Sequence, residues 1–144
     1  MTIAAILKQK GHQVSAVAPT ATIAEVAHEL ARRRIGAMLV MDDASQLLGI
    51  VSERDIVASL AEHGATTLDM TASQLMTRDV KTAGPRTTVP QAMGIMTEGR
   101  FRHLPVVEDG KLLGIVSIGD IVKARIQQQE HEVDTLKAYV SGAA

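Results

Sequence analysis

Cysteine and tryptophan are both absent from the 144 residues, and the only phenol and phenyl rings are those of Tyr139 and Phe101. Without cysteine there are no disulfides, no thiolate metal ligands and no thiol nucleophile, which excludes a disulfide scaffold and every cysteine-dependent chemistry. Aromatics at 1% against hydrophobic residues at 46% leave the core to Val, Ile, Leu, Ala and Met. Those residues suit a mixture of strands and helices. No apolar run approaches the roughly 18 to 20 residues of a membrane span, and Met1 to Lys10 has only a short apolar run with no cleavage-site pattern. A formal net charge of −1 speaks against a broad basic surface, from which nucleic-acid binding draws its affinity. The expectation is a cytoplasmic protein with neither a membrane nor a nucleic-acid partner, on which a local basic cluster still suffices for one small phosphate.

What is present is repetition. Val14 to Thr22 aligns with Val80 to Thr88 at an offset of 66, keeping Val14/Val80, Pro19/Pro85 and Thr22/Thr88. After Asp43 and Asp109 the offset becomes 65, and Leu47 to Val57 matches Leu112 to Val122 at nine of eleven positions. The mismatches are Glu53/Ile118 and Arg54/Gly119.

Each copy reads as a short extended piece, a helix, two strands and a second helix. Thr22 with Glu25, and Thr88 with Gln91, are capping boxes, each followed by a helical apolar face: Ile23, Val26, Ala27 and Leu30, then Val89, Ala92, Met93 and Met96. Pro90 falls in the first turn, where its missing N–H does no harm. Ala37 to Met41 and Leu104 to Val107 end at Asp42-Asp43 and Glu108-Asp109-Gly110, and Leu48 to Val51 and Leu113 to Val116 return as hairpin partners. The expected class is α/β (α+β), two repeats related by a pseudo-twofold axis, each a small sheet with two helices. Neither buries its apolar face comfortably alone. The expected boundaries are 8–62 for repeat one, 63–73 for a small and polar linker, 74–127 for repeat two and 128–144 for a C-terminal helix and tail.

The most faithful motif is Gly, two apolar residues, Ser, two variable residues and Asp, at Gly49 to Asp55 and Gly114 to Asp120, where a strand hands over to a helix. Glycine lets a backbone approach a ligand, and a helix start offers N–H groups to an anion. A carboxylate, accepting at both oxygens, matches the 2′ and 3′ hydroxyls of a ribose. Ser followed three residues later by an acid is equally a helix N-cap with its reciprocal partner, and duplication would preserve a cap as well as a site.

At these residues the chain resembles the CBS domain family, named after cystathionine β-synthase. The match runs through Val80 to Pro85, then Phe101-Arg102-His103-Leu104-Pro105-Val106-Val107, then Gly114 to Asp120, and covers about residues 14 to 57 and 80 to 122. The resemblance implies a Bateman module, with up to two sites in the cleft between the repeats for AMP, ADP, ATP, NAD(H) or S-adenosylmethionine. It also implies that Asp55 and Asp120 hold ribose hydroxyls and that Ser52 and Ser117 contact the phosphate side. Arg54 adds a cation that its counterpart Gly119 does not supply. Gly36, Ala37 and Met38 would line one adenine pocket, and Arg102, His103 and Leu104, with Pro105, the other; Arg102 and His103 would also be the chain's best phosphate ligands, with Lys81 and Thr82 closing a wall. Copy one departs from the pattern, since Ile35-Gly36-Ala37-Met38-Leu39 lacks both the basic pair and the proline.

Other features have plainer readings. The five histidines are too scattered for a metal site, and Met38, Met70, Met76, Met93 and Met96 read as core filler. Arg32-Arg33-Arg34 is a solvated helix end or a phosphate clamp. No nucleophile, base and orienting group gather in one pattern, and Walker or Rossmann loops are missing, so no catalytic residue and no required cofactor is expected. From Asp120 to Tyr139 there is no Gly or Pro, and Ile126, Gln129, Val133, Leu136 and Val140 form a short heptad-like seam suited to a homodimer, the plainer alternative being a helix that folds back on its own core. The expected function is an adenine-nucleotide-binding regulatory module acting on a separate protein. The rival readings are a ligand-free structural dimerisation module and a small nucleotide-acting enzyme.

Overall fold

The computed structural model describes residues 1–142, which divide into two compact units, Gln13–Val80 and Met1–His12 together with residues 81–142. The elements in chain order are α1 (Ile3–Lys10), β1 (Ala16–Val17), α2 (Ile23–Arg33), β2 (Ala37–Met41), β3 (Leu47–Ser52) and α3 (Glu53–His63). They continue with α4 (Ala72–Leu75), α5 (Val89–Gly99), β4 (His103–Glu108), β5 (Lys111–Ser117) and α6 (Ile118–Val140). A 3-10 helix, Gly64–Asp69, precedes α4.

In the unit Gln13–Val80, β1 runs parallel to β2 and β2 antiparallel to β3, with Ala37 opposite Ser52. The core gathers Ile23, Val26 and Leu30 of α2, Met38 and Val40 of β2, Val51 of β3 and Ile56 of α3. In the other unit β4 and β5 pair antiparallel with His103 opposite Ser117. Its core joins Val89, Ala92 and Met96 of α5 to Leu104, Val106, Val116 and Ile121. Both hairpins shift register at the same place, between Val40 and Met41 and between Val106 and Val107.

The counterpart of β1 shrinks to one bridge, Ala83 with Val106. The cause is Pro105. At the equivalent position Leu39 donates its N–H to Ser15 O at 3.0 Å; proline has no N–H, so that rung cannot form. Residues 64–69, within the expected linker, wind into the 3-10 helix, where fully buried Thr67 meets the Ser59 hydroxyl at 2.8 Å.

Each unit borrows the segment that precedes the opposite repeat in sequence. Thr2 bridges Thr88, and Thr71 bridges Thr22. Ile3 N–H donates to Thr87 O and Ala4 N–H to Pro85 O, while Ala72 N–H donates to Ala21 O and Ser73 N–H to Pro19 O. Helix α1 buries Ile3, Ile6 and Leu7 against the second repeat's core. The unit formed by the second repeat is thus discontinuous in sequence.

Candidate functional site

The two strand-to-helix junctions are built alike. Ser52 ends β3 in extended conformation and caps α3, its hydroxyl accepting from Asp55 N–H at 3.2 Å while Asp55 Oδ2 accepts from Ser52 N–H at 2.8 Å. Ser117 and Asp120 repeat this at α6, at 3.1 and 2.8 Å. Both motifs are therefore capping boxes. The first helical N–H is also occupied, since Glu53 donates to Gly36 O at 2.9 Å and Ile118 to Arg102 O at 2.8 Å. Two of the first three donors of each helix thus already have acceptors in the chain, which corrects the expectation of an open N-terminus waiting for an anion.

The motif glycines also have a packing role that the motif alone does not reveal. A Cβ on Gly49 would lie 2.6 Å from Met76 Sδ and 2.7 Å from the Thr77 carbonyl oxygen; one on Gly114 would lie 2.9 Å from Leu7 Cδ2. The close approach is to Met76 and Leu7, side chains of the borrowed segments.

The expected site residues fall into two groups. Gly36, Ala37, Ser52, Arg54 and Asp55 collect where β2 begins and β3 passes into α3; Arg102, His103, Ser117 and Asp120 collect at the corresponding place in the other unit. Arg54 and Arg102 are exposed, whereas Ser52, Asp55, His103, Ser117 and Asp120 are half-buried. Exposed Lys81 and Thr82 lead into Ala83, whose N–H donates to Pro105 O at 2.9 Å. Met38 and Leu104 belong to the two cores, and Pro105 is buried. A groove of 480 Å³ opens between α2 and α3, lined by Leu30, Arg34, Glu53, Ile56 and Val57 among others, and Gly36 is the one expected ligand residue on its wall.

Lys10 is the residue that the sequence reading passed over. Its ammonium donates to Asp120 Oδ2 at 2.6 Å and to Ile115 O at 2.9 Å. His12 Nδ1 follows, 2.8 Å from Leu113 O. Partial burial works to raise the Asp120 carboxyl, but the Lys10 hydrogen bond, the Ser117 N–H and the lysine charge outweigh it and hold the group below its ordinary value. A third alignment, Thr2 to Leu7 against Thr71 to Met76, marks the helix that carries Lys10 at an offset of 69 rather than 66, but Lys10 itself falls opposite Asp79. Of the arginine run, Arg32 and Arg33 both bond Glu29, at 2.7 and 2.9 Å, and hold its carboxyl down at about 2, the Arg32 hydrogen bond foremost. Arg33 also donates to the Ser15 hydroxyl. Arg32 and Arg33 are tied down in this way, while Arg34 lines the groove between α2 and α3.

Comparison with known proteins gives consistent matches. The family model for the CBS domain matches residues 11–62 and 72–127. The CBS domain-containing protein CBSX3, mitochondrial, of Arabidopsis thaliana is 32% identical over 98% of this chain and 72% of its own length. The CBS-domain containing protein ATU1752 from Agrobacterium tumefaciens superposes with a TM-score of 0.84 at 45% identity, covering 86% of this chain and 92% of that one. Two solved structures contain adenosine compounds. CBSX2 in complex with AMP has a TM-score of 0.74 at 28% identity, covering 89% of this chain and 98% of that one. The CBS domain pair of MJ0100, in complex with 5-methylthioadenosine and S-adenosyl-L-methionine, has a TM-score of 0.78 at 26% identity and the same coverage. No described helix is long and apolar enough to cross a membrane.

Proposed function

Because the chain belongs to the CBS-domain family and carries its repeat twice, we propose that it is a regulatory module that binds an adenosine-containing ligand, one half-site per repeat, and does not turn it over. The observation that carries this reading is the duplicated junction itself. Asp55 and Asp120 each cap a helix through one oxygen, Oδ2, and a carboxylate accepts at both. Capping and ribose binding are compatible, and the cap fixes the acid's rotamer. Relatives that hold AMP or S-adenosylmethionine support the ligand class; AMP, ADP, ATP and NAD(H) are the candidates. In this reading Arg54, Arg102 and His103 face phosphate, Ser52 and Ser117 support it, Lys81 and Thr82 close a wall, and Gly36, Ala37, Met38, Leu104 and Pro105 frame the base. The module acts as a homodimer through its helices, in the cytoplasm, on a separate regulated protein to which it passes a ligand-dependent change of shape.

The test is a set of thermal melts with AMP, ATP, NAD and S-adenosylmethionine. A binder at about a hundred times its dissociation constant stabilises the fold by about 2.7 kcal/mol. No shift with any ligand would leave an association module, and consumption of the nucleotide would make the protein an enzyme. Asp55→Asn and Asp120→Asn then separate cap from site, because the amide oxygen still caps. Each is expected to weaken binding at its own half-site about tenfold or more, the worth of a hydrogen bond to a charged group. Unchanged calorimetric isotherms for both variants would reduce the acids to caps.

A further inference from the structure

Helix α6 outruns the unit it belongs to. Its buried residues are Ile121 and Ala124, and every position from Gln129 to Val140 is exposed. Three turns of helix standing in water are weakly held, because most helical stability in proteins comes from packing an apolar face. The overhang is not polar all round. Val122, Ile126, Gln129, Val133, Leu136 and Val140 recur at alternating steps of four and three, and the five apolar ones are 46%, 49%, 49%, 62% and 77% exposed. That spacing is the seam of a two-stranded coiled coil, with Ile126, Val133 and Val140 at a and Val122, Gln129 and Leu136 at d. β-Branched residues at every a position suit two strands.

The flanking charges decide the orientation. Arg125 and Glu132 fall at g, Glu130 and Lys137 at e. Among the described residues none of the four makes an ion pair within the chain. Arg125, Glu130 and Glu132 also have no opposite charge three or four positions away on their own helix. In a parallel, in-register pair each g residue meets the e residue of the next heptad, which sets Arg125 against the partner's Glu130 and Glu132 against the partner's Lys137. Gln129 then meets its own copy, and two amides satisfy one another. An antiparallel pair that keeps every layer sets Lys123 against Lys137, Glu130 against Glu130 and Glu132 against Glu132. It also buries Gln129 against Val133, leaving the amide without a partner.

We propose that residues 122–140 of α6 form a parallel, in-register two-stranded coiled coil with a second copy of this chain. The proposal rests on the homodimer reading above and adds the contact and its orientation. The experiment uses the full chain, and because it contains no cysteine a single introduced thiol reports geometry cleanly. Sedimentation velocity is expected to give a dimer. Under mild oxidation Leu136→Cys is expected to cross-link to itself, and Val133→Glu to yield a folded monomer, since Val133 is half exposed in the protomer. Glu130→Arg is expected to raise the dimer dissociation constant about tenfold by turning its pairs repulsive, and adding Arg125→Glu to restore it. A dimer in which Leu136→Cys cross-links only to Ile126→Cys overturns the orientation and leaves the homodimer standing. A dimer that Val133→Glu leaves intact overturns the contact alone, and a monomeric wild type overturns both.

Discussion

The two units share one plan yet complete the neighbourhood of their acids differently. In Gln13–Val80 the borrowed helix α4 stops at Leu75, and Thr77 runs on beside β3, exchanging two main-chain bonds with Ile50 at 2.9 and 3.1 Å. In the other unit the borrowed helix α1 continues to Lys10, and the carbonyl of Ile115, the counterpart of Ile50, is met by the lysine ammonium. That ammonium also reaches Asp120. One open acceptor is thus filled by backbone in one copy and by a cation in the other. Duplicated acids therefore do not have duplicated surroundings, and the half-sites proposed at Asp55 and Asp120 are unequal before any ligand arrives.

Substitutions at matched positions sharpen this contrast. Gly49→Ala is expected to have the largest effect, a loss of about 2–3 kcal/mol by overpacking, because its Cβ meets the Thr77 carbonyl as well as Met76. Ser59→Ala follows at about 1–2 kcal/mol, since it strands the Thr67 hydroxyl in a buried place; the matched position is already alanine, Ala124, which packs in its core. Gly114→Ala is expected to remove only about 1 kcal/mol, because the obstacle is the far end of the Leu7 side chain rather than backbone. Urea denaturation ranks the three, and equal midpoints for the two glycine variants would show that the borrowed segments pack alike.

Lys10→Met is expected to have the smallest effect, below about 1 kcal/mol once solvent screening of a part-exposed pair is counted. The pH dependence gives it away. Asp120 titrates below its unfolded value of 3.8, so its contribution is present above that value and fades as the pH falls through the folded one. The stability gap between wild type and variant should close over that acid range. Carboxyl NMR on Asp120 should show its pKa rising in Lys10→Met; an unmoved titration would show that Lys10 does not set it.

Much of the architecture was legible in the sequence. Apolar runs bounded by turn residues marked both hairpins, and β2 begins and ends at the expected Ala37 and Met41. The caps at Thr22, Ser52, Thr88 and Ser117 followed from side chains that act within three residues of themselves. What the sequence hid was non-local. Ile3, Ile6 and Leu7 look like a brief apolar run until a sheet is set beneath them. The Ala83 bridge is short for a reason that requires knowing which N–H Pro105 lacks. The motif glycines read as ligand clearance because Met76 and Leu7, the atoms that need the room, belong to other segments.

The borrowed segments also impose an order on biosynthesis. Gln13–Val80 is contiguous, so every partner it needs has left the ribosome once Val80 has. Residues 1–12 emerge earlier still, yet the contacts of Lys10 and His12 lie 101 to 110 residues downstream. Closing so long a loop is slow and leaves apolar Ile3, Ile6 and Leu7 uncovered in the nascent chain. A bulky fusion at the amino end would therefore be felt first as delayed maturation of the carboxyl-terminal half.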